Sequence, residues 1–94
     1  MKKTLTIFLL FASIAVFSQT KMEKKGDNFY DIYYFDKAIK SYINSDSLSL
    51  EAQRNLAESF YNRFDFAQAE IEYEKFIESP LATINDYYTF ILIL

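Results

Sequence analysis

The chain has 94 residues, of which 51% are hydrophobic and 19% aromatic, and its formal net charge is −3. This length accommodates one small domain, and a single glycine and a single proline argue against disorder and against a turn-rich β-sandwich. The negative charge disfavours binding to nucleic-acid phosphates or anionic lipid headgroups, and the absence of cysteine excludes disulfides and thiolate chemistry. The composition therefore favours an all-α domain.

The amino terminus has the three parts of a secretory signal peptide. Lys2 and Lys3 form a positive n-region, residues 5–17 are uncharged and mainly apolar, and small residues precede a cleavage point after Ser18. A membrane anchor is the less favoured alternative, because a spanning helix needs roughly 20 apolar residues. The sequence predicts removal of residues 1–18 and export to the periplasm or outer membrane of a Gram-negative cell, with membrane contact only before cleavage.

The spacing of apolar residues predicts five helices after this leader. They span residues 21–33, 36–44, 49–63, 66–78 and 86–94. Ser47 or Ser49 can cap the third helix, and Thr83 with Asp86 gives the fifth a capping-box-like start. The fourth helix is expected to end at Pro80, since helices usually stop at or before the residue preceding a proline.

Two apolar stripes indicate the buried faces of the third and fourth helices. They comprise Leu56, Phe60 and Phe64, and then Phe66, Ala69, Tyr73, Phe76 and Ile77. An aromatic stripe could also line a ligand pocket, but at helical spacing it is more typical of a core. We therefore predict that these side chains are buried.

A ten-residue segment recurs 31 positions later in the chain. Residues 29–38 align with residues 60–69 at four identical positions, and the same offset pairs Gly26 with Ala57 and Tyr42 with Tyr73. Small residues at these places let helix backbones approach, while the aromatic side chains fill the remaining space. The repeat predicts two helical hairpins of the same design.

This pattern resembles the tetratricopeptide repeat, which has a small residue and an aromatic in helix A, then an alanine and an aromatic in helix B. The matching residues are Gly26, Phe29, Phe35, Ala38 and Tyr42 in the first copy, and Ala57, Phe60, Phe66, Ala69 and Tyr73 in the second. A third copy begins at residues 87–91 and stops after one helix. The resemblance implies antiparallel helical hairpins over residues 19–94, incomplete at the carboxy terminus. The spacing of 31 departs from the usual repeat of about 34 residues.

The side chains available for chemistry are few. Without histidine or cysteine, a Ser-His-Asp triad, a Cys-His pair and the common zinc sites are excluded. Glu70, Glu74 and Glu78 lie four residues apart, which is typical of a solvated helix face and not of an acid-base pair. The sequence therefore predicts no enzymatic activity, no metal site and no cofactor.

The resemblance also implies a binding surface, because tetratricopeptide proteins hold ligands in a concave groove lined by helix A. The outward positions of helix A are Asp27, Tyr30, Asp31, Arg54, Glu58, Tyr61 and Asn62. Rigid rings and planar donors suit contacts with a protein or peptide. The alternative is that these are ordinary exposed helix residues.

The leader, the lysine-rich start of the mature region and the pair of repeats resemble the beginning of OmpA-like envelope proteins. This resemblance implies an exported protein-protein interaction module in a peptidoglycan-associated protein of the cell envelope. The alternative is a purely structural spacer or brace in an outer-membrane or secretion-associated assembly. The apolar residues 90–94 suggest either a truncated parent or self-association through the last helix.

Overall fold

A computed structural model describes residues 20–94, and every regular element within this range is a helix. The helices are α1 (Lys21–Asp31), α2 (Phe35–Ile43), α3 (Leu50–Asn62), α4 (Phe66–Glu74) and α5 (Ile84–Ile93). The all-α prediction is thereby confirmed. The predicted signal peptide lies outside the described residues.

The five helices pack in chain order. Helix α1 packs on α2 and α3 on α4, so that two helical hairpins form. The hairpins meet through contacts of α3 with both α1 and α2, and α5 packs on α4. This repeat-like arrangement places the first helix of each hairpin, α1 and α3, side by side.

The turns inside the two hairpins have the same backbone structure. Tyr33 and Phe64, which are 31 positions apart, both adopt left-handed backbone angles, with φ of 63° and 62°. The Tyr33 N–H donates to the Tyr30 carbonyl at 3.0 Å and the Tyr34 N–H donates to the Phe29 carbonyl at 2.9 Å. Two matching bonds of 3.0 Å close the second turn. The sequence repeat is therefore also a repeat of backbone structure, with a Schellman motif at the end of each first helix.

Small residues lie where the helices approach most closely, as predicted. Ala38, Ala57 and Ala69 are fully buried. A Cβ atom placed on Gly26 would lie 2.5 Å from the ring of Tyr42, so this position has no room for a methyl group. The other members of the core are Tyr42, Ala52, Leu56, Phe60, Tyr73 and Phe76.

The ends of α1 and α5 differ from the predicted ends by two residues. Helix α1 ends at Asp31, because the left-handed conformation of Tyr33 interrupts the helix. Helix α5 begins at Ile84, because Thr83 caps it and Asp86 completes a capping box. The predicted capping box is confirmed, and Ser49 is the cap of α3.

The prediction that Pro80 ends the fourth helix is wrong. Helix α4 ends at Glu74, and residues 75–78 form tighter turns. The Phe76 N–H donates to the Tyr73 carbonyl at 3.1 Å and the Ser79 N–H to the Phe76 carbonyl at 2.8 Å. Phe76 and Ile77 are both buried in this segment. The tighter turns thus occur where two adjacent residues face the core.

Phe64 is not in the core, contrary to the predicted stripe. Leu56 and Phe60 are buried, but the side chain of Phe64 is 79% exposed. The reason is that Phe64 lies beyond the end of α3, in the left-handed turn, where helical periodicity no longer applies. Phe66, at the start of α4, is also 43% exposed.

Candidate functional site

Four of the predicted groove residues form hydrogen bonds between helices, namely Asp27, Tyr30, Arg54 and Glu58. The hydroxyl of Tyr30 on α1 donates to the carboxylate of Glu58 on α3 and so joins the two hairpins. The hydroxyl of Tyr42 on α2 donates to Asp27 on α1 at 2.5 Å, and Asn55 on α3 donates to the same hydroxyl at 3.3 Å. These polar groups therefore stabilise the stacking of helices.

The tyrosines in these bonds are held in the neutral form. Burial, and next the hydrogen bond to Glu58, raises the pKa of Tyr30 well above its ordinary value. Burial and the hydrogen bond to Asp27 do the same to the pKa of Tyr42, and burial followed by the charge of Glu58 raises the pKa of Tyr73. At neutral pH the hydroxyls of Tyr30 and Tyr42 are therefore structural hydrogen-bond donors.

Arg54 connects α3 with α5. Its Nε atom lies 3.0 Å from Oδ2 of Asp86, its Nη2 group donates to the Leu81 carbonyl, and its guanidinium carbon lies 5.8 Å from the centre of the Phe76 ring. The side chain of Asp86 is only 4% exposed, and its carboxylate also accepts a bond of 2.8 Å from the Thr83 N–H. Arg54 thus neutralises a buried carboxylate at the start of α5.

The remaining groove residues are more accessible. Asp31 and Asn62 are exposed at the carboxyl ends of α1 and α3, and Asn62 donates to the Glu58 carbonyl at 2.8 Å. The ring of Tyr61 lies 5.6 Å from that of Phe66, beside a cavity of about 190 Å³. The predicted set therefore comprises four residues in interhelical hydrogen bonds, one ring that packs on Phe66, and two exposed positions.

The sequence analysis missed the burial of Glu23 and Glu72. Glu23 is 2% exposed and accepts bonds from the Ser49 N–H at 2.8 Å and the Ser49 hydroxyl at 3.2 Å, so a carboxylate of α1 holds the start of α3. Glu72 is 5% exposed and accepts from Gln53 and Lys75. The sequence could have indicated this burial. Glu23 lies three positions before Gly26 and Glu72 lies three positions after Ala69, and both small residues belong to the buried face.

A second group of residues surrounds a cavity of about 370 Å³ between the two hairpin turns. It is lined by Tyr33, Tyr34, Phe35, Asp36, Lys37, Asn62 and Arg63. Asp36 and Arg63 form an ion pair of 2.5 Å that joins the hairpins, and the Nζ atom of Lys37 lies 5.7 Å from the centre of the Tyr34 ring. Asn62 is the one residue of this cavity that the sequence analysis predicted as a site residue.

Residues 20–94 contain neither a possible membrane-spanning helix nor a possible metal-binding cluster. No helix in this range has both the length and the hydrophobicity that a membrane span requires. The same residues contain no cluster of three or more acidic side chains that could hold a metal ion.

The fold and its interhelical bonds define the class of the molecule as an all-α protein with a helical-repeat-like architecture. Comparisons with protein-family models, curated proteins and solved structures found no match.

Proposed function

We propose that the chain is an exported protein-protein interaction module within an OmpA-like, peptidoglycan-associated protein of the cell envelope. The module consists of two tetratricopeptide-like repeats and the first helix of a third. The equivalence of the two hairpins, with the same left-handed turn and the same buried small residues, carries this proposal. Stacked hairpins of this kind present extended surfaces that suit protein partners.

The accessible part of the proposed binding surface is formed by Asp31 and Asn62. These residues are 31 positions apart and occupy the same place in the two hairpins. Both side chains are exposed, whereas Tyr30, Glu58 and Arg54 are engaged with other parts of the chain. A partner would therefore first meet the carboxyl ends of α1 and α3.

A photo-crosslinking amino acid at Asp31 or Asn62, introduced into the chain in living Gram-negative cells, tests this function. We expect a covalent adduct with an envelope protein or peptide, formed by a chain that has been cleaved after Ser18. The matched control is the same amino acid at Glu74, which is exposed on α4. Equal labelling at Glu74, or a cytoplasmic chain that retains its leader, would contradict the proposal.

A purely structural brace is the second candidate, and a specific observation favours it. The bonds of Tyr30 with Glu58 and of Arg54 with Asp86 use side chains of the proposed groove to hold neighbouring helices together. A spacer needs such bonds and no ligand. Absence of adducts at Asp31 and Asn62, with a cell-wall association that depends on domains of a larger parent protein, would favour the brace.

A further inference from the structure

The first hairpin turn has a tyrosine where glycine is the usual residue. Tyr33 occupies the left-handed position of the Schellman motif, with φ of 63°, and its side chain is 78% exposed. The left-handed conformation is unfavourable for a residue with a Cβ atom. Its ring contacts that of Phe35 at 6.0 Å between centroids, and Phe64 makes the equivalent contact with Phe66 at 6.1 Å.

The next residue of this turn is also not of the type that its position favours. Tyr34 stands at the N-cap of α2, and among the described residues its side chain makes no capping hydrogen bond. At the same position of the second hairpin, the carboxylate of Asp65 caps α4 by accepting from the Gln68 N–H at 3.4 Å. A helix that lacks a capping side chain is less stable than one that has it.

The first turn thus exposes Tyr33 and Tyr34. Phe64 shares the left-handed conformation in the second turn, so only Tyr34, at a capping position, is peculiar to the first turn. The side chain of Tyr34 is 56% exposed, so packing does not explain its presence either. Residues that break local rules without a gain in packing are expected where a protein binds something. Both tyrosines line the cavity of about 370 Å³.

The charged groups around this cavity already have partners. Asp36 and Arg63 are paired with each other at 2.5 Å, and Lys37 lies over the rings of Tyr34 and Phe29 at 5.7 and 5.6 Å. The other lining residues are the aromatic Tyr33, Tyr34 and Phe35 and the amide Asn62. The site therefore suits a neutral ligand that has apolar faces and hydrogen-bond acceptors.

We propose that this cavity binds a proline-rich segment of a protein partner in the polyproline II conformation, an inference that rests on the proposed interaction function. Proline rings pack flat on exposed aromatic rings, and the carbonyls of a polyproline II helix have no internal partners. The hydroxyls of Tyr33 and Tyr34, and the N–H of the Asn62 amide that is not bonded to the Glu58 carbonyl, can supply donors for those carbonyls. The ligand is already extended before binding, so little conformational entropy is lost at an open site.

The test is an NMR titration of the full chain with an acetylated and amidated decaproline peptide. We expect saturable shifts at residues 33–37 and 62–63, and none with a glycine-serine peptide of the same length. The double variant Tyr33→Gly/Tyr34→Asp should weaken binding by at least about tenfold. Its Tm should be equal or higher, because the variant restores the residues that the turn prefers.

Phe64→Gly provides the matched control. This substitution gives the second turn the same Gly-Asp pair, because residue 65 is already an aspartate. Phe64 does not line the cavity, so decaproline should bind this variant as tightly as it binds the parent chain. Unchanged affinity in the double variant, a lower Tm of that variant, or decaproline binding no tighter than the glycine-serine peptide would each overturn the inference. Adducts at Asp31 without decaproline binding would overturn it while leaving the proposed interaction function intact.

Discussion

At the scale of single residues, Gly26 determines how closely α1 and α2 approach. The ring of Tyr42 lies where a side chain at position 26 would begin, and Tyr42 is itself only 1% exposed. Ala57 occupies the equivalent position in the second hairpin and is fully buried. The chain of the first hairpin therefore needs glycine for its packing and not for an unusual backbone angle.

We expect Gly26→Ala to lower the free energy of unfolding by about 1–2 kcal/mol. Overpacking costs about 1–3 kcal/mol, and the better helix propensity of alanine returns only up to about 1 kcal/mol. Urea denaturation followed by circular dichroism measures the change. Asn28→Ala, on the exposed side of the same helix, is the control and should leave stability equal or slightly higher. A stabilised Gly26→Ala variant would contradict the close packing.

The raised pKa values of the buried tyrosines predict a loss of stability at alkaline pH. Because burial and the bond to Asp27 raise the pKa of Tyr42 above its unfolded value of about 10, its contribution is complete below that pH. The contribution declines as the pH rises from there through the folded pKa, with a limiting slope of about 1.4 kcal/mol per pH unit for each such group.

Urea denaturation between about pH 8 and pH 12 tests this expectation. Tyr42→Phe should be less stable than the parent at neutral pH by about 1–3 kcal/mol, because Asp27 loses its donor, but its alkaline loss should be shallower. Tyr88→Phe changes a side chain that is 65% exposed and should keep the slope of the parent. If the free energy of unfolding fell equally steeply with pH in Tyr42→Phe and in the parent, the alkaline loss of stability would not come from Tyr42.

At the scale of elements, α5 depends on a few long side chains for its position. It packs on α4, and the ion pair of Arg54 with Asp86 ties its first turn to α3. Thr83 and Asp86 fix its start through the capping box. The buried carboxylate of Asp86 makes this attachment sensitive to the loss of its partner.

We expect Arg54→Ala to destabilise the protein by about 2–4 kcal/mol, because it leaves the carboxylate of Asp86 buried without its cation. Hydrogen exchange should quicken first in α5 and only later in α1 and α2. Arg63→Ala removes an ion pair in which both side chains are more than half exposed, so its effect should stay within about 1 kcal/mol. Equal losses of stability in Arg54→Ala and Arg63→Ala would show that burial does not make the Arg54–Asp86 pair more important than an exposed one.

At the scale of the whole molecule, α5 has an exposed apolar surface. This surface is formed by Ile84, Tyr87, Tyr88, Ile91 and Leu94, whose exposed fractions range from 46% to 86%. The stripe follows helical spacing and carries no charge. Because exposed apolar surfaces of this kind favour association, we propose that this surface binds a second copy of the chain.

Sedimentation velocity at increasing protein concentration measures this association. We expect the sedimentation coefficient of the parent chain to rise with concentration and that of Ile91→Lys to stay constant. Since Ile91 is 65% exposed, its substitution should change monomer stability by less than about 0.5 kcal/mol. Ile43→Lys, at a residue that is 61% exposed at the end of α2, should behave like the parent. A concentration-independent parent would exclude self-association through α5.

Local patterns predicted much of the fold and little of the candidate site. The repeat located both hairpins, and Ser49 and Thr83 were recognised as possible caps because capping depends on residues three positions apart. The early end of α4 and the exposure of Phe64 were missed. Both occur where the chain leaves the helix, and the helical period carries no information beyond that point.

The sequence by itself determined the all-α class, the 31-residue repeat and the positions of the small residues, because each follows from spacing along the chain. Only the tertiary structure decided which polar side chains are buried and paired. Tyr30 and Glu58 are 28 positions apart and Arg54 and Asp86 are 32 positions apart, so no local period reports their contact. The packing of hairpin on hairpin brings these groups together, and burial then makes each depend on its partner.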